Sequence, residues 1–323
     1  MEAPLVQIGA ARPRLPEWAR KSPTRFAALH RLKTAFRAAR LHTVCESARC
    51  PNIHECFDRG AATFLILGNR CTRGCGFCSV PRGAGMRLDP QEPANVARMA
   101  AAMDLRYAVV TSVTRDDLED GGSHHFAETV RQVRQALPEA RVEALTPDFQ
   151  GDCEAIARVL DAGPHVFNHN LETVPRLYAR VRPQADYRQS LDVLAFARRY
   201  LSGGPLTGGS AAVRASLGLT RQEPYPTALV KSGFMVGLGE TEDEVRALLR
   251  DLRVAGTDVA TIGQYLQPSR RNLPVAAYIE PRQFAAYGEY GRSLGFRAVF
   301  SGPLVRSSYM AEAVSAEALR RPC

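Results

Sequence analysis

The chain has 323 residues, 45% hydrophobic and 23% charged, enough material for one large α/β domain or two smaller ones with a full core. No apolar run approaches the roughly 18 residues of a membrane span, which excludes a membrane-crossing helix. The formal charge is +9, but residues 1–40 carry nine Lys/Arg against two Glu, leaving only +2 for the other 283 residues; there is a basic arm, and no basic body to read nucleic acid.

An Arg-rich, acid-poor arm suits a mitochondrial transit peptide. Pro13, Pro16 and Pro23 interrupt the amphipathic helix that such a peptide needs, so a bacterial cytoplasmic location is expected. The spacing then predicts a helix over Arg25–Arg40, with Phe26, Leu29, Leu32 and Phe36 on one face and Arg/Lys opposite. Its apolar stripe should pack, leaving a basic face open to an acidic protein.

Six of the eight cysteines fall between Cys45 and Cys78, in two triplets. Cys45, Cys50 and Cys56 read C-x4-C-x5-C; Cys71, Cys75 and Cys78 read C-x3-C-x2-C. A closed zinc site takes four Cys/His ligands, commonly from paired C-x2-C turns, whereas three thiolates match three corners of a [4Fe–4S] cube. Ligand type alone leaves zinc, Cu(I) and iron–sulfur open. A zinc knuckle drawing on His42 or His54 is one alternative. A disulfide framework is a poor one, since such frameworks belong to small secreted domains.

From Ala62 onward, short apolar runs alternate with helical patterns. Strands are predicted at Thr63–Leu67, Tyr107–Val113, Arg141–Leu145, His165–Asn168, Leu229–Val236, Val259–Tyr265 and Ala298–Ser301. Helices are predicted near 92–103, 124–136, 152–162, 186–200, 241–254 and 281–294, with Asp152 and Thr241 as N-caps and Glu244 completing a capping box. Regular β–α alternation implies a parallel sheet. Nearly every polar cluster follows a strand end: C-T-R-G-C, T-R-D-D, N-H-N-L-E-T, G-L-G-E-T, Q-P-S-R-R-N and V-R-S-S-Y. That distribution favours a barrel or partial barrel over an open doubly wound sheet. The glycines of G-L-G-E-T lack both phosphate-loop spacings. Between Leu194 and Lys231 the connection is unusually long; Ser202–Pro226 is rich in Gly, Pro and Ser and reads as a flexible insertion, with a short helix possible over Ala211–Leu219.

C-x3-C-x2-C with Phe77 before its last cysteine resembles the signature of the radical S-adenosylmethionine (SAM) enzymes. Adding the upstream triplet, R-P-R-L-P-E-W (Arg12–Trp18), T-S-V-T-R-D-D-L-E-D-G-G (Thr111–Gly122), N-H-N-L-E-T-V (Asn168–Val174), K-S-G-F-M-V-G-L-G-E-T (Lys231–Thr241), T-I-G-Q-Y-L-Q-P-S (Thr261–Ser269) and S-G-P-L-V-R-S-S-Y (Ser301–Tyr309), the chain resembles the lipoyl synthase family from about Arg12 to Met310. It departs in the long Ser202–Pro226 connection and in Asn272, where the family usually has histidine.

The resemblance implies a partial (β/α)6 TIM-type barrel over residues 61–300, an N-terminal cluster-binding extension over 1–60 and a C-terminal segment, 301–323, carrying R-S-S-Y. It implies two [4Fe–4S] clusters and two SAM per turnover. Cys71, Cys75 and Cys78 would hold the cluster that reduces SAM. Cys45, Cys50 and Cys56, with Ser308 as fourth ligand, would hold an auxiliary cluster whose sulfides enter C6 and C8 of an octanoyl chain. Phe77 would sit by the SAM adenine, Glu172 and Arg182 by its ribose or amino-acid end, and Arg306 near the substrate or the Ser308 loop. Cys153 and Cys323 read as unliganded. Implied partners are octanoylated lipoyl carriers (2-oxoacid dehydrogenase E2 domains and the glycine cleavage H protein) and a flavodoxin or ferredoxin as electron donor, with no nucleic acid and no membrane, the enzyme being a monomer. The rival readings are another sulfur-inserting radical SAM enzyme and, from a different class, a noncatalytic zinc protein that binds nucleic acid; iron and sulfide content separates the last at once.

Overall fold

The structure, a computed structural model, describes residues 15–19, 34–47, 52–58, 61–203 and 228–308. Most of the predicted Arg25–Arg40 helix lies outside these; residues 34–38 are helical. Nearly all of the Ser202–Pro226 insertion, Cys50 and everything beyond Ser308 also lie outside.

All seven predicted strands form. Two match to the residue, β4 (Arg141–Leu145) and β6 (Leu229–Val236), and the rest shift by one or two: β2 (Ala61–Ile66), β3 (Tyr107–Ser112), β5 (Val166–Asn168), β7 (Val259–Gln264) and β8 (Ala298–Gly302). β2 stops before Leu67 because that residue turns to φ +67°. The crossover helices are α3 (Glu92–Ala102), α4 (Ser123–Ala136), α5 (Cys153–Asp161), the short α6 (Tyr178–Val181) with α7 (Tyr187–Leu201), α8 (Glu242–Val254) and α9 (Pro281–Ser293). Both predicted N-caps are present: Asp152 accepts from the Glu154 amide, and Thr241 with Glu244 forms the capping box of α8. On α8, Val245, Leu248, Leu249 and Leu252 are buried, the i, i+3, i+4, i+7 stripe of a helix laid on a sheet.

The strands line up in sequence order, β1 to β8, in one open sheet. β2 to β8 pair in parallel and are joined by six helical crossovers, the arrangement of a partial barrel. An edge strand not anticipated from the sequence, β1 (His42–Thr43), pairs antiparallel with β2 and leads into two short helices, α1 (Val44–Ser47) and α2 (Ile53–Asp58). Its two residues are too few for any period to register.

One face of the sheet packs on the helices. On the other, Tyr107, Glu143, Asn168 and Lys231 meet in the concave interior. Lys231 Nζ lies 3.0 Å from Glu143 Oε2, while Tyr107 and Asn168 each donate to Glu143 at 2.7 Å. Lys231 and Glu143 are essentially without solvent access. A buried carboxylate with one cation and two further donors is the arrangement that such a pair needs to survive desolvation. Burial and the facing Glu143 push the Tyr107 hydroxyl well above its ordinary pKa.

Candidate active site at the rim of the barrel

The polar blocks that follow strand ends in the sequence sit beyond the C-terminal ends of β2, β3, β5, β6, β7 and, as far as Ser308, β8, so the parallel sheet delivers them to one rim. The second triplet follows β2. Its loop doubles back on itself through Cys71 N–H to the Pro81 carbonyl, 3.0 Å, and Gly83 N–H to the Cys71 carbonyl, 2.9 Å. Thr72 donates from backbone and hydroxyl to the Thr114 carbonyl beyond β3. Gly76 donates to the Val181 carbonyl at 2.9 Å and accepts from the Leu273 amide at 3.0 Å. A side chain at position 76 would press on Leu273 and the Arg180 carbonyl, so glycine is required by close approach rather than by its dihedrals.

Asn272 completes the clamp. Its Nδ2 donates to the Cys78 carbonyl at 2.8 Å and to the Gly76 carbonyl at 3.4 Å, while its Oδ1 accepts from the Ser269 hydroxyl at 2.7 Å.

The three sulfurs are half-buried free thiols. Cys71 Sγ accepts from the Arg73 and Thr114 amides at 3.4 and 3.3 Å, and Cys78 Sγ from the Val80 amide at 3.5 Å. Burial pushes Cys75 up and Cys78 up to about 12, and charge on the other sulfurs adds to both shifts; Arg182 pulls Cys75 back. Backbone N–H groups aimed at sulfur suit thiolates that carry metal. No three His, Cys, Asp or Glu side chains gather tightly enough for a single ion among the described residues. Three thiolates in one loop are a donor set that suits three corners of a cubane cluster.

Arg73, inside the same loop, is almost wholly buried. Its Nε and Nη2 fork onto Asp116 at 2.7 and 2.8 Å, and Nη1 reaches Asp148 at 2.6 Å. Thus one guanidinium ties the ends of β2, β3 and β4 together, using the planar geometry that lysine lacks. Burial, the largest single influence, would raise the Asp148 carboxyl, but the hydrogen bond from Arg73, the nearby positive charge and the Gln150 amide together outweigh it and the net shift is downward.

Behind Cys75, Arg182 is buried rather than a solvated surface residue. It donates to the Asn170 carbonyl at 2.9 Å and the Tyr178 hydroxyl at 3.1 Å. Glu172 sits at φ +67°, accepts from Asn170 Nδ2 at 3.0 Å, and is pushed up by burial against the pull of Arg182 and Asn170. Asn170 Oδ1 and His169 Nε2 are buried with no hydrogen-bond partner among the described residues. Phe77 is half-buried against the main core. Phe77, Glu172 and Arg182 thus lie around the second triplet.

For the first triplet, Cys45 lies in α1, although its side chain, like the whole of Cys50 and the His54 side chain, is outside the described residues. Cys56 lies in α2 and is half-buried. Ser308 is half-buried on the segment after β8, where Arg306 folds back onto the Val305 carbonyl at 2.6 Å. Cys153 opens α5 as a free thiol, distant in sequence from both triplets, and Cys323 is outside the described residues. The sequence reading passed over Arg73, Asp116, Asp148 and Asn52. Arg73 and Asp116 stood inside quoted strand-end blocks, so the signal was present; their pairing across 43 residues was not.

Comparison with known proteins covers nearly the whole chain. The Radical SAM superfamily model matches residues 65–252, and a model of the N-terminal domain of lipoyl synthase matches residues 2–50. A lipoyl synthase of Rubrobacter xylanophilus is 51% identical over 90% of this chain and 83% of its own length. One from Thiobacillus denitrificans is 46% identical over 98% of this chain and 94% of its own length, and one from Thermus thermophilus is 50% identical over 90% and 83%. Among solved structures, Streptococcus suis SuiB bound to S-adenosylmethionine superimposes with a TM-score of 0.51 at 8% identity, over 75% of this chain and 50% of that one, a likeness of fold alone.

Proposed function

The chain belongs to the lipoyl synthase family of radical SAM enzymes, and from that premise we propose that Cys71, Cys75 and Cys78 hold the [4Fe–4S] cluster that binds SAM, while Cys45, Cys50, Cys56 and Ser308 hold a second one. The substrate is an octanoyl group on a lysine of a lipoyl carrier domain, sulfur enters at C6 and C8 from the second cluster, and two SAM are spent per lipoyl group. The C6 and C8 hydrogens have no acidity that a side-chain base could use, so cluster and SAM supply radical chemistry where proton transfer fails.

The observation that carries this reading is the pair of cysteine triplets on either side of β2 in a chain about half identical to lipoyl synthases. Residues 1–60 then act as a ligand-bearing extension, 61–300 as the barrel, and 301–323 as the segment that returns with Ser308. The chain's own groups prepare the site. The amides of Arg73, Thr114 and Val80 offset the charge that Cys71 and Cys78 acquire on losing their protons to metal. Arg182 does the same for Cys75. Glu172 and Asn170 present acceptors where the ribose or amino-acid end of SAM would lie, with Phe77 beside the adenine. A flavodoxin or ferredoxin supplies electrons, and the setting is a cytoplasm in which the enzyme works as a monomer. No described helix is long and apolar enough to cross a membrane.

Ser308 supplies the test, because oxygen is a hard ligand on an otherwise soft site and its bond should release readily. Ser308→Ala should load iron yet weaken the second cluster while SAM cleavage persists. Ser308→Cys should hold that cluster more tightly and yield deoxyadenosine with little lipoyl product. Parental lipoyl yield from both variants would return Ser308 to the status of a loop serine.

A further inference from the structure

The sheet is open, and one side chain joins its two ends. Asn52 lies between α1 and α2, which pack on β2 at one edge. Its Nδ2 donates to the Leu304 carbonyl at 2.7 Å, just past β8 at the other edge. Asn52 is 1% exposed, and its Oδ1 has no hydrogen-bond partner among the described residues. The Cys56 amide in turn donates to the Asn52 carbonyl at 3.1 Å, so the residue that grips Leu304 also caps the turn carrying a cysteine of the first triplet.

The gripped segment is equally constrained on its far side. The Val305 carbonyl occupies the space a side chain on Gly263 of β7 would need. Ser307 lies 3.5 Å from where a Cβ on Gly233 of β6 would stand. The segment after β8 therefore runs back across the barrel mouth, held in a turn by Val305 N–H to the Gly302 carbonyl at 3.1 Å.

We infer that Asn52 is a positioning residue that clasps the two edges of the open barrel and sets the Ser308 segment against the first triplet. The inference rests on the reading of Ser308 as a cluster ligand, and it says what brings that serine within reach. A hydrogen bond from a buried side-chain amide to a half-buried carbonyl is costly to break, since the amide is left without a partner or water. A serine oxygen, bound more weakly than a thiolate, depends more than a cysteine would on being delivered to its place.

Hydrogen exchange of the unloaded protein reads the clasp without any cluster. In Asn52→Leu, which keeps the volume and removes the donor, the Val305 amide should exchange about tenfold faster while the amides of β3 and β6 keep their protection. Asn52→Ala serves if Asn52→Leu does not fold. After anaerobic reconstitution, the ratio of deoxyadenosine to lipoyl product should rise about tenfold in the same variant, the factor expected for one lost buried hydrogen bond. Parental exchange at Val305 in a folded variant overturns the clasp, and faster exchange with a parental product ratio overturns its positioning role. Ser308→Ala separates the two ideas. It should leave Val305 exchange unchanged and alter the Mössbauer signature of the second cluster; a parental signature there removes the serine ligand and leaves the clasp to the exchange experiment alone.

Discussion

The two cysteine triplets are held in contrasting ways. The second is bound on every side: Thr72 to the end of β3, Arg73 to Asp116 and Asp148, Gly76 to Val181, and Asn272 to the carbonyls of Gly76 and Cys78. The described part of the first sits on two short helices outside the barrel, tied to the far edge by Asn52. A centre that must return unchanged after every turnover gains from a stiff frame. A centre proposed to surrender its sulfides gains from a frame that lets go. Stiffness here is a matter of how many independent groups restrain the loop, not of the cysteines themselves.

The most severe way to break the comparison is to remove each triplet in turn. Reconstituted protein should hold about eight irons, at four per cube, and either triplet changed to Ala should leave about four. Losing Cys71, Cys75 and Cys78 should abolish SAM cleavage, whereas losing Cys45, Cys50 and Cys56 should spare deoxyadenosine formation and abolish lipoyl product. Iron analysis with both product assays decides; SAM cleavage that survives the first substitution would reverse the assignment.

Next in size comes the Arg73 lock. Arg73→Met leaves Asp148, a fully buried carboxylate, without its cation, and breaking such a pair costs about 3–5 kcal/mol. Denaturant unfolding of the unloaded protein should show a loss in that range. Adding Asp148→Leu should recover part of it, because removing both charges is far less damaging than removing one. A loss below about 1 kcal/mol, the scale of exposed ion pairs, would mean that the frame of the second triplet is looser than its geometry implies.

How much of this frame was legible in sequence follows from the range of the interactions. Strands such as Leu229–Val236 and helices such as Glu242–Val254 declare themselves through local periodicity and capping residues, and these stood where expected. Ligand spacing is local too, so the triplets could be read directly. The partners of Arg73 lie 43 and 75 residues away, the partner of Asn52 lies 252 away, and Lys231 meets Glu143 across 88. No local pattern encodes such pairings, which the order of the strands creates. Arg182 was named only through the family resemblance, and its burial behind Cys75 is a product of the fold that no local pattern shows.

A third way to sharpen the contrast is pH. His169 Nδ1 sits 3.0 Å from the Thr146 carbonyl and donates to it, leaving Nε2 buried and unpartnered among the described residues. Burial first, and then the charge of Arg182, lower its pKa from 6.5 to about 4. The unfolded chain therefore binds the proton more readily, and the stability of the neutral form is complete above pH 6.5 and lost as pH falls toward 4. At about 1.4 kcal/mol per unit the loss is about 3 kcal/mol. His169→Gln should flatten that part of the stability profile, measured by urea unfolding at pH 7 and 4.5; an equal slope in both proteins would place the acid sensitivity elsewhere.

The smallest effect is expected at Asn272, where the family usually carries histidine. If that histidine moved a proton, asparagine would be a defect, since its amide does not titrate near neutral pH. The geometry gives position 272 a different task. One amide donates to the carbonyls of Gly76 and Cys78 and accepts from Ser269, which pins the loop of the second triplet from the β7 side. A neutral imidazole has one donor and one acceptor, so it can keep the bond to Cys78 and the bond from Ser269 while giving up the long third one to Gly76. The exchange costs at most a weak hydrogen bond. Asn272→His should therefore change lipoyl formation by less than about tenfold, the factor that 1.4 kcal/mol represents, and leave the iron content unaltered. A rise of a hundredfold or more in turnover would show that the position carries a proton and that this chain works without one.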